Sequence, residues 1–142
     1  MKLAHPTFMN PDQINRPVAL ASLRAAFDAY EAALLRHDIA ALDAFFRDAP
    51  ETLRYGVAEL GYGIDAIRRY RATAAPVHPG RQLRHIVIQT FGDDFGSAAC
   101  EFIAPGTDMI GRQTQTWARV DGAWCIVTAH VSLLVPSALC QG

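Results

Sequence analysis

The stretch that decides the fold is IGRQTQTWARVDGAWCIVTAHVSLL, residues 110–134. It divides at Asp121–Gly122, a dipeptide suited to a two-residue hairpin because both turn positions need left-handed backbone that these residues tolerate. The flanking runs are rich in Thr, Val, Ile and Trp, which fit a pleated, half-buried surface. A turn this short makes the two runs antiparallel neighbours. Working back, SAACEFIA (97–104) and RQLRHIVIQTF (81–91) repeat the pattern, with PGTDM and GDDF as the intervening turns. The second half of the chain therefore reads as a four-strand antiparallel meander. Strands this long in a small domain imply a strongly twisted, curved sheet.

The first half has another rhythm. Residues 1–16 are polar, carry two prolines and read as an arm. Pro17 is a good first-turn residue, and Leu20, Leu23, Phe27, Tyr30 and Leu34 recur at steps of three and four, which predicts a helix to about Arg36 with Tyr30 on its core stripe. A second helix is expected over Ile39–Phe46, with Asp38 as its N-cap. The segment LRYGV (53–57) reads as a small strand. GYGIDAIRRYRAT (61–73) reads as a third helix entered through Gly61 and Gly63, with Ile64, Ile67 and either Tyr70 or Arg71 turned inward. Three helices around one short strand, followed by a meander, give an α+β domain over residues 17–135, with 136–142 as a tail. Helices on the concave side of a bent sheet would make a half-open cone with one pocket. The meander is apolar on both faces in places, as with Ile86 and Ile88 against Val87, so its other face is expected to be covered by a second copy in a homodimer.

Composition excludes several classes. The chain has 142 residues, enough for one domain with a real core, and 13 basic against 14 acidic residues leave no field that would attract nucleic acid or anionic lipid. No run is long or apolar enough for a membrane span or an export signal. Cys100, Cys125 and Cys140 lack Cys-x-x-Cys spacing, and an odd count without an export signal fits a reducing cytoplasm better than disulfide or zinc chemistry. Nucleotide-loop, Gly-x-Ser-x-Gly and His-Glu-x-x-His motifs are absent from the sequence.

Within this frame a few residues stand out. Arg54 interrupts an otherwise apolar strand, on the face opposite Leu53 and Tyr55. It is either wet, paired with an acid such as Glu31 or Glu101, or poised to grip a carboxylate ligand through its bidentate fork. Tyr30 is either a packing residue or a phenol at the pocket wall beside Arg54, able to give or take a proton. Gln113, Gln115 and Trp117 share one strand face, which suits a polar binding wall as well as a solvated surface. His130, with Thr128 and Ser132, is a further pocket candidate. Of the run Arg68, Arg69 and Arg71, one member, Arg71, is a candidate to rim the pocket and steer anions.

With its markers NRP entering the first helix, FDAYEAALLRHDIAALDAFF, LRYGVAELGYG, GRQTQTW and AHVSLL, the chain resembles the NTF2-like (cystatin-like cone) superfamily, and within it the AtzH-like family. The resemblance spans roughly residues 15–135. It implies three N-terminal helices packed on a strongly curved, mainly antiparallel sheet, and a cofactor-independent decarboxylating amidohydrolase that converts 1,3-dicarboxyurea to allophanate in cyanuric acid or related nitrogen catabolism. It also implies that the tyrosine of the first helix and the arginine of the RYG strand, here Tyr30 and Arg54, are necessary, and that the protein associates functionally with an amidase. Other readings stay open on the same cone: an isomerase or cyclase with a carboxylate base, a non-catalytic module for small carboxylates, or a partner of an amidase.

Overall fold

Pro17 opens α1 (Pro17–Leu35), and its stripe of Leu23, Phe27, Tyr30 and Leu34 is buried, as the period of 3.6 requires. His37 takes a left-handed φ of 54° to turn the chain. Asp38 then caps α2 (Ile39–Ala44), its Oδ1 accepting from the Ala41 amide at 3.1 Å. The computed structural model describes residues 8–137; Cys140 and most of the expected tail lie outside them. The second helix is shorter than its apolar pattern suggests. After Ala44 the backbone of Phe45 and Phe46 turns to bridge Ile126, which diverts both aromatic side chains into the core from an irregular segment.

A single sheet of six strands carries these helices: β1 (Leu53–Tyr55), β2 (Leu60–Tyr62), β3 (Gln82–Thr90), β4 (Phe95–Ile103), β5 (Ile110–Val120) and β6 (Ala123–Leu134), in the order β2-β1-β6-β5-β4-β3. The expected meander is present, and Asp121 and Gly122 turn it at φ values of 50° and 79°. Two features go beyond the sequence reading. LGY, assigned to the entry of the third helix, is instead a strand that pairs with β1 to make a hairpin, before α3 (Ile64–Thr73) begins. The hairpin joins the meander through a parallel pairing of β1 with β6, so the sheet is mixed, though mainly antiparallel. Gly61 permits this docking: it faces Arg54 across the hairpin, and a Cβ there would lie 2.8 Å from the Arg54 carbonyl oxygen and 3.2 Å from Ile67 of α3.

The N-terminal stretch read as an arm is tied down where it is described. Asn15 exchanges two hydrogen bonds of 2.9 Å with Thr90 at the end of β3, and Gln13 accepts from the Gly92 amide. The core lies between the helices and one sheet face, with Leu23, Phe27, Leu42, Ile67, Trp117 and Ile126 essentially inaccessible. None of the described helices is long and apolar enough to cross a membrane.

Candidate active site

Alternation settles which sheet face is inside. On β5, Gly111, Gln113, Gln115 and Trp117 are buried toward the helices, whereas Arg112 and Thr114 face out. The register carries this face across the sheet: Arg54 on β1 pairs with Ala129 on β6, Ala129 with Gln115 on β5, and Gln115 with Ala98 on β4. Arg54 and Gln115 therefore share one transverse row, separated by the small side chain of Ala129. Strands lie about 4.8 Å apart, so roughly 10 Å separates the two backbones, a span suited to a small planar molecule.

Two helices and two strands bring a polar group into this interior. Tyr30 from α1, Arg71 from α3, Arg54 from β1 and Gln113 and Gln115 from β5 are 4%, 6%, 8%, 5% and 3% exposed. The Tyr30 ring is held edge-on by Phe45, Phe46 and Trp117 at centroid distances of 5.6, 6.2 and 6.4 Å. Its hydroxyl accepts from Arg71 Nη2 at 3.3 Å. Trp117, expected among the ligand-binding residues, is inaccessible and donates its indole N–H to Gln115 Oε1 at 3.0 Å. That bond fixes the amide: with its oxygen held, the Gln115 NH2 is the end directed elsewhere.

Arg54 has an acid partner, but neither of the two expected. Glu31 is taken by Arg81, which donates to its two oxygens at 2.8 and 3.3 Å and stacks over Phe102. Glu101 faces Arg84 and His85. Arg54 instead donates to Glu59, which lies three residues beyond Gly56 in the turn of the β1–β2 hairpin. No periodicity marked Glu59, because it lies in a connection. Arg81 was likewise unmarked, although a carboxylate beside Tyr30 on the core stripe of α1 signals that a cation must meet it. Arg81 also donates to Gln113 Oε1 at 3.3 Å, while Gln113 Nε2 is buried with no hydrogen-bond partner among the described residues.

One expected pocket residue does not join this group. His130 is on the outer face, because it alternates with the inward Ala129, and it packs against Tyr55 at 5.7 Å. There it lines a shallow cleft of about 380 Å³ with Arg112, Thr114 and Ser132. A second cleft, of about 450 Å³, opens beside the start of α3 between Asp48, Tyr62, Asp65 and Arg69. Neither touches Tyr30 or Arg54. The interior group is thus closed over, with the Glu59 carboxylate as its most exposed member.

Two ionisable groups share this buried setting. Burial pushes the Cys100 thiol up to about 11, against a smaller opposing pull from Arg81. Asp43 of α2 has one buried oxygen without a partner, and burial raises its carboxyl above the usual range while Arg71 and Arg68 draw it back.

A mixed sheet that buries a polar row under three helices defines a cystatin-like, NTF2-like protein. The solved structures agree: a cystatin-like fold protein from Burkholderia xenovorans is 46% identical over 86% of this chain and 96% of its own, with a TM-score of 0.84. A protein of unknown function from Pectobacterium atrosepticum is 44% identical over 90% of this chain and 100% of its own, at 0.87. An NTF2-like protein of unknown function from Pseudomonas putida is 16% identical over 82% and 87%, at 0.68, and shares the fold. No curated protein matches. The AtzH-like family model matches residues 12–137, and the chain belongs to that family.

Proposed function

We propose that this protein is a decarboxylating amidohydrolase that converts 1,3-dicarboxyurea to allophanate. The observation that supports this most is the placement of Tyr30 and Arg54: brought from α1 and β1, both turn their polar ends to the one buried face, with Gln115 on the row of Arg54. The substrate is a carbonyl flanked by two N-carboxylate groups. Arg54 takes one carboxylate in its fork in place of Glu59, and the Gln115 amide holds the urea plane. The bond between the departing carboxyl carbon and its nitrogen breaks. The electron pair stays on nitrogen, the Tyr30 hydroxyl supplies the proton, and CO2 leaves. Water then returns a proton to the phenolate.

The isomerase reading is narrowed here to one candidate base. It needs a free carboxylate base in the pocket; both Glu31 oxygens are engaged by Arg81, Glu101 is paired with Arg84 of β3 and Asp65 is exposed, which leaves Asp43 of α2, with its carboxyl raised by burial, as the acid that could serve it. A homodimer through the outer sheet face belongs to the same reading, since Leu60, Tyr62 and Val87 are largely exposed there; a monomeric mass by light scattering removes it. The deciding experiment incubates the purified protein with dicarboxyurea generated in situ and follows CO2 and allophanate. Release no faster than without protein sinks the proposal, and co-purification with an amidase would then favour a partner role.

A further inference from the structure

Arg71 is the least explained charge in the molecule. Its guanidinium is buried, yet among the described residues no carboxylate lies within 4.0 Å of it, and the one side-chain hydrogen bond it makes is to the Tyr30 hydroxyl. Every other deeply placed arginine has an acid: Arg54 has Glu59 and Arg81 has Glu31. A guanidinium withdrawn from water without an anion is costly, and proteins keep such a group where a ligand completes it. Gln113 Nε2, on the buried face of β5, is a donor without an acceptor among the described residues. A buried arginine without a carboxylate and an amide NH2 without an acceptor describe a place for an anion; the buried carboxylate oxygen without a partner among the described residues, Asp43 Oδ1 on α2, is near enough for its charge to interact with Arg71 but is not within 4.0 Å of it.

Its relation to Arg54 specifies the anion further. Both guanidinium carbons lie against one ring, that of Tyr70, at 4.8 Å for Arg54 and 5.9 Å for Arg71, so the two charges are close neighbours in the same interior. We infer that Arg54 and Arg71 form a two-acid site that selects small dianions with a carboxylate at each end, Arg71 taking the one beside Tyr30. This rests on the function proposed above and assigns its binding roles. It also resolves an objection to the chemistry. A cation that held only the departing carboxylate would stabilise the starting state and slow the loss of CO2. Arg71 touches both ends of the charge movement: as the carboxylate departs as neutral CO2 and nitrogen takes the proton from Tyr30, the negative charge arises on the Tyr30 oxygen, to which Arg71 already donates. The product keeps one carboxylate and loses its hold on Arg71, which favours its release.

The test uses binding rather than turnover. The probe is 3-oxoglutarate, in which CH2 groups replace the two nitrogens of dicarboxyurea, and its control is acetoacetate, which lacks one carboxylate. Calorimetric titration of the full-length protein should give at least tenfold tighter binding of 3-oxoglutarate than of acetoacetate. Arg71→Gln should remove most of that preference and change acetoacetate affinity by less than about twofold, while Arg71→Lys should retain part of it. Equal affinities for the two probes in the parent protein overturn the inference, and this outcome needs no variant to fold. An Arg71→Gln variant that folds and keeps the parent preference overturns it too. Selective binding without turnover of dicarboxyurea would leave the two-acid site standing and remove the reaction. Turnover without the dianion preference would do the reverse.

Discussion

The hairpin carboxylate that covers Arg54 can be displaced by adding one methyl group. A Cβ built on Gly56 overlaps the Glu59 carboxylate, which is the free end of a flexible side chain rather than fixed backbone. Gly56 does not occupy positive φ, and its amide bond to the Glu59 carbonyl, 3.1 Å, survives in alanine. Gly56→Ala should therefore swing the carboxylate aside and leave the hairpin paired. A hydrogen bond to a charged group contributes about 1.5–3 kcal/mol. The Glu59 side chain is 22% exposed, so water replaces part of this and roughly 1–2 kcal/mol is the reasonable share. Alanine returns about 0.4–1 kcal/mol by restricting the unfolded chain, leaving a net stability loss of about 1 kcal/mol. Any carboxylate entering the Arg54 fork must displace Glu59, so removing this competitor should tighten 3-oxoglutarate binding by about five- to thirtyfold. Titration calorimetry on the parent, Gly56→Ala and Glu59→Gln proteins reads this directly, with urea melts to confirm the fold. If both variants are folded and neither binds the probe more tightly, Glu59 does not guard Arg54 and the reasoning fails.

Other expectations follow from the same contacts. Tyr30→Phe keeps the three ring contacts and removes only the proton, so it should stay folded and lose about 10²- to 10⁴-fold in CO2 release; turnover at the parent rate would exclude Tyr30 as the acid. Arg54→Lys should fail to restore activity in a stopped assay, because a point charge cannot reproduce the fork that the Glu59 carboxylate now fills. Trp117→Ala, at the centre of the core, should cost about 3–5 kcal/mol in urea unfolding. Burial raises the Cys100 thiol from an ordinary 9.0 to about 11. Because the folded value is the higher, its contribution to stability is complete below pH 9 and is lost as pH rises toward 11. Peptide mapping after iodoacetamide treatment at pH 8 should find Cys100 unlabelled until the protein is unfolded, and rapid labelling of the folded protein would contradict its burial.

The legible parts of this chain are those with local causes. The α1 stripe, the Asp38 cap and the Asp121–Gly122 turn follow from side-chain period, a cap oxygen and backbone tolerance, and all three are present. Tyr30 and Arg54 were marked by their positions in local patterns, and both point inward. What period alone could not reveal was pairing over distance. β2 has only three residues, too few for alternation to register, and its place comes from docking on β1. The face of β5 was undecided until its neighbours were known, because a period of two is symmetrical between inside and outside. That same symmetry misplaced His130. Glu59 and Arg81 carry no such signal, because each lies in or beside a connection, where neither helix nor strand period applies.

The parallel seam between β1 and β6 is only three residues long, whereas β5 and β6 run beside each other for most of their length. Arg54, which the proposed function assigns to the substrate carboxylate, is thus mounted on a short and thinly paired piece of the sheet. Amide hydrogen exchange should divide accordingly, with the hairpin amides exchanging through local opening and those of the meander only through global unfolding. On the proposed function, a guest would enter by opening of this small hairpin, at no expense to the scaffold that keeps Tyr30 in place. Mutational drift in those few hairpin residues could retune which acids are admitted without endangering the fold.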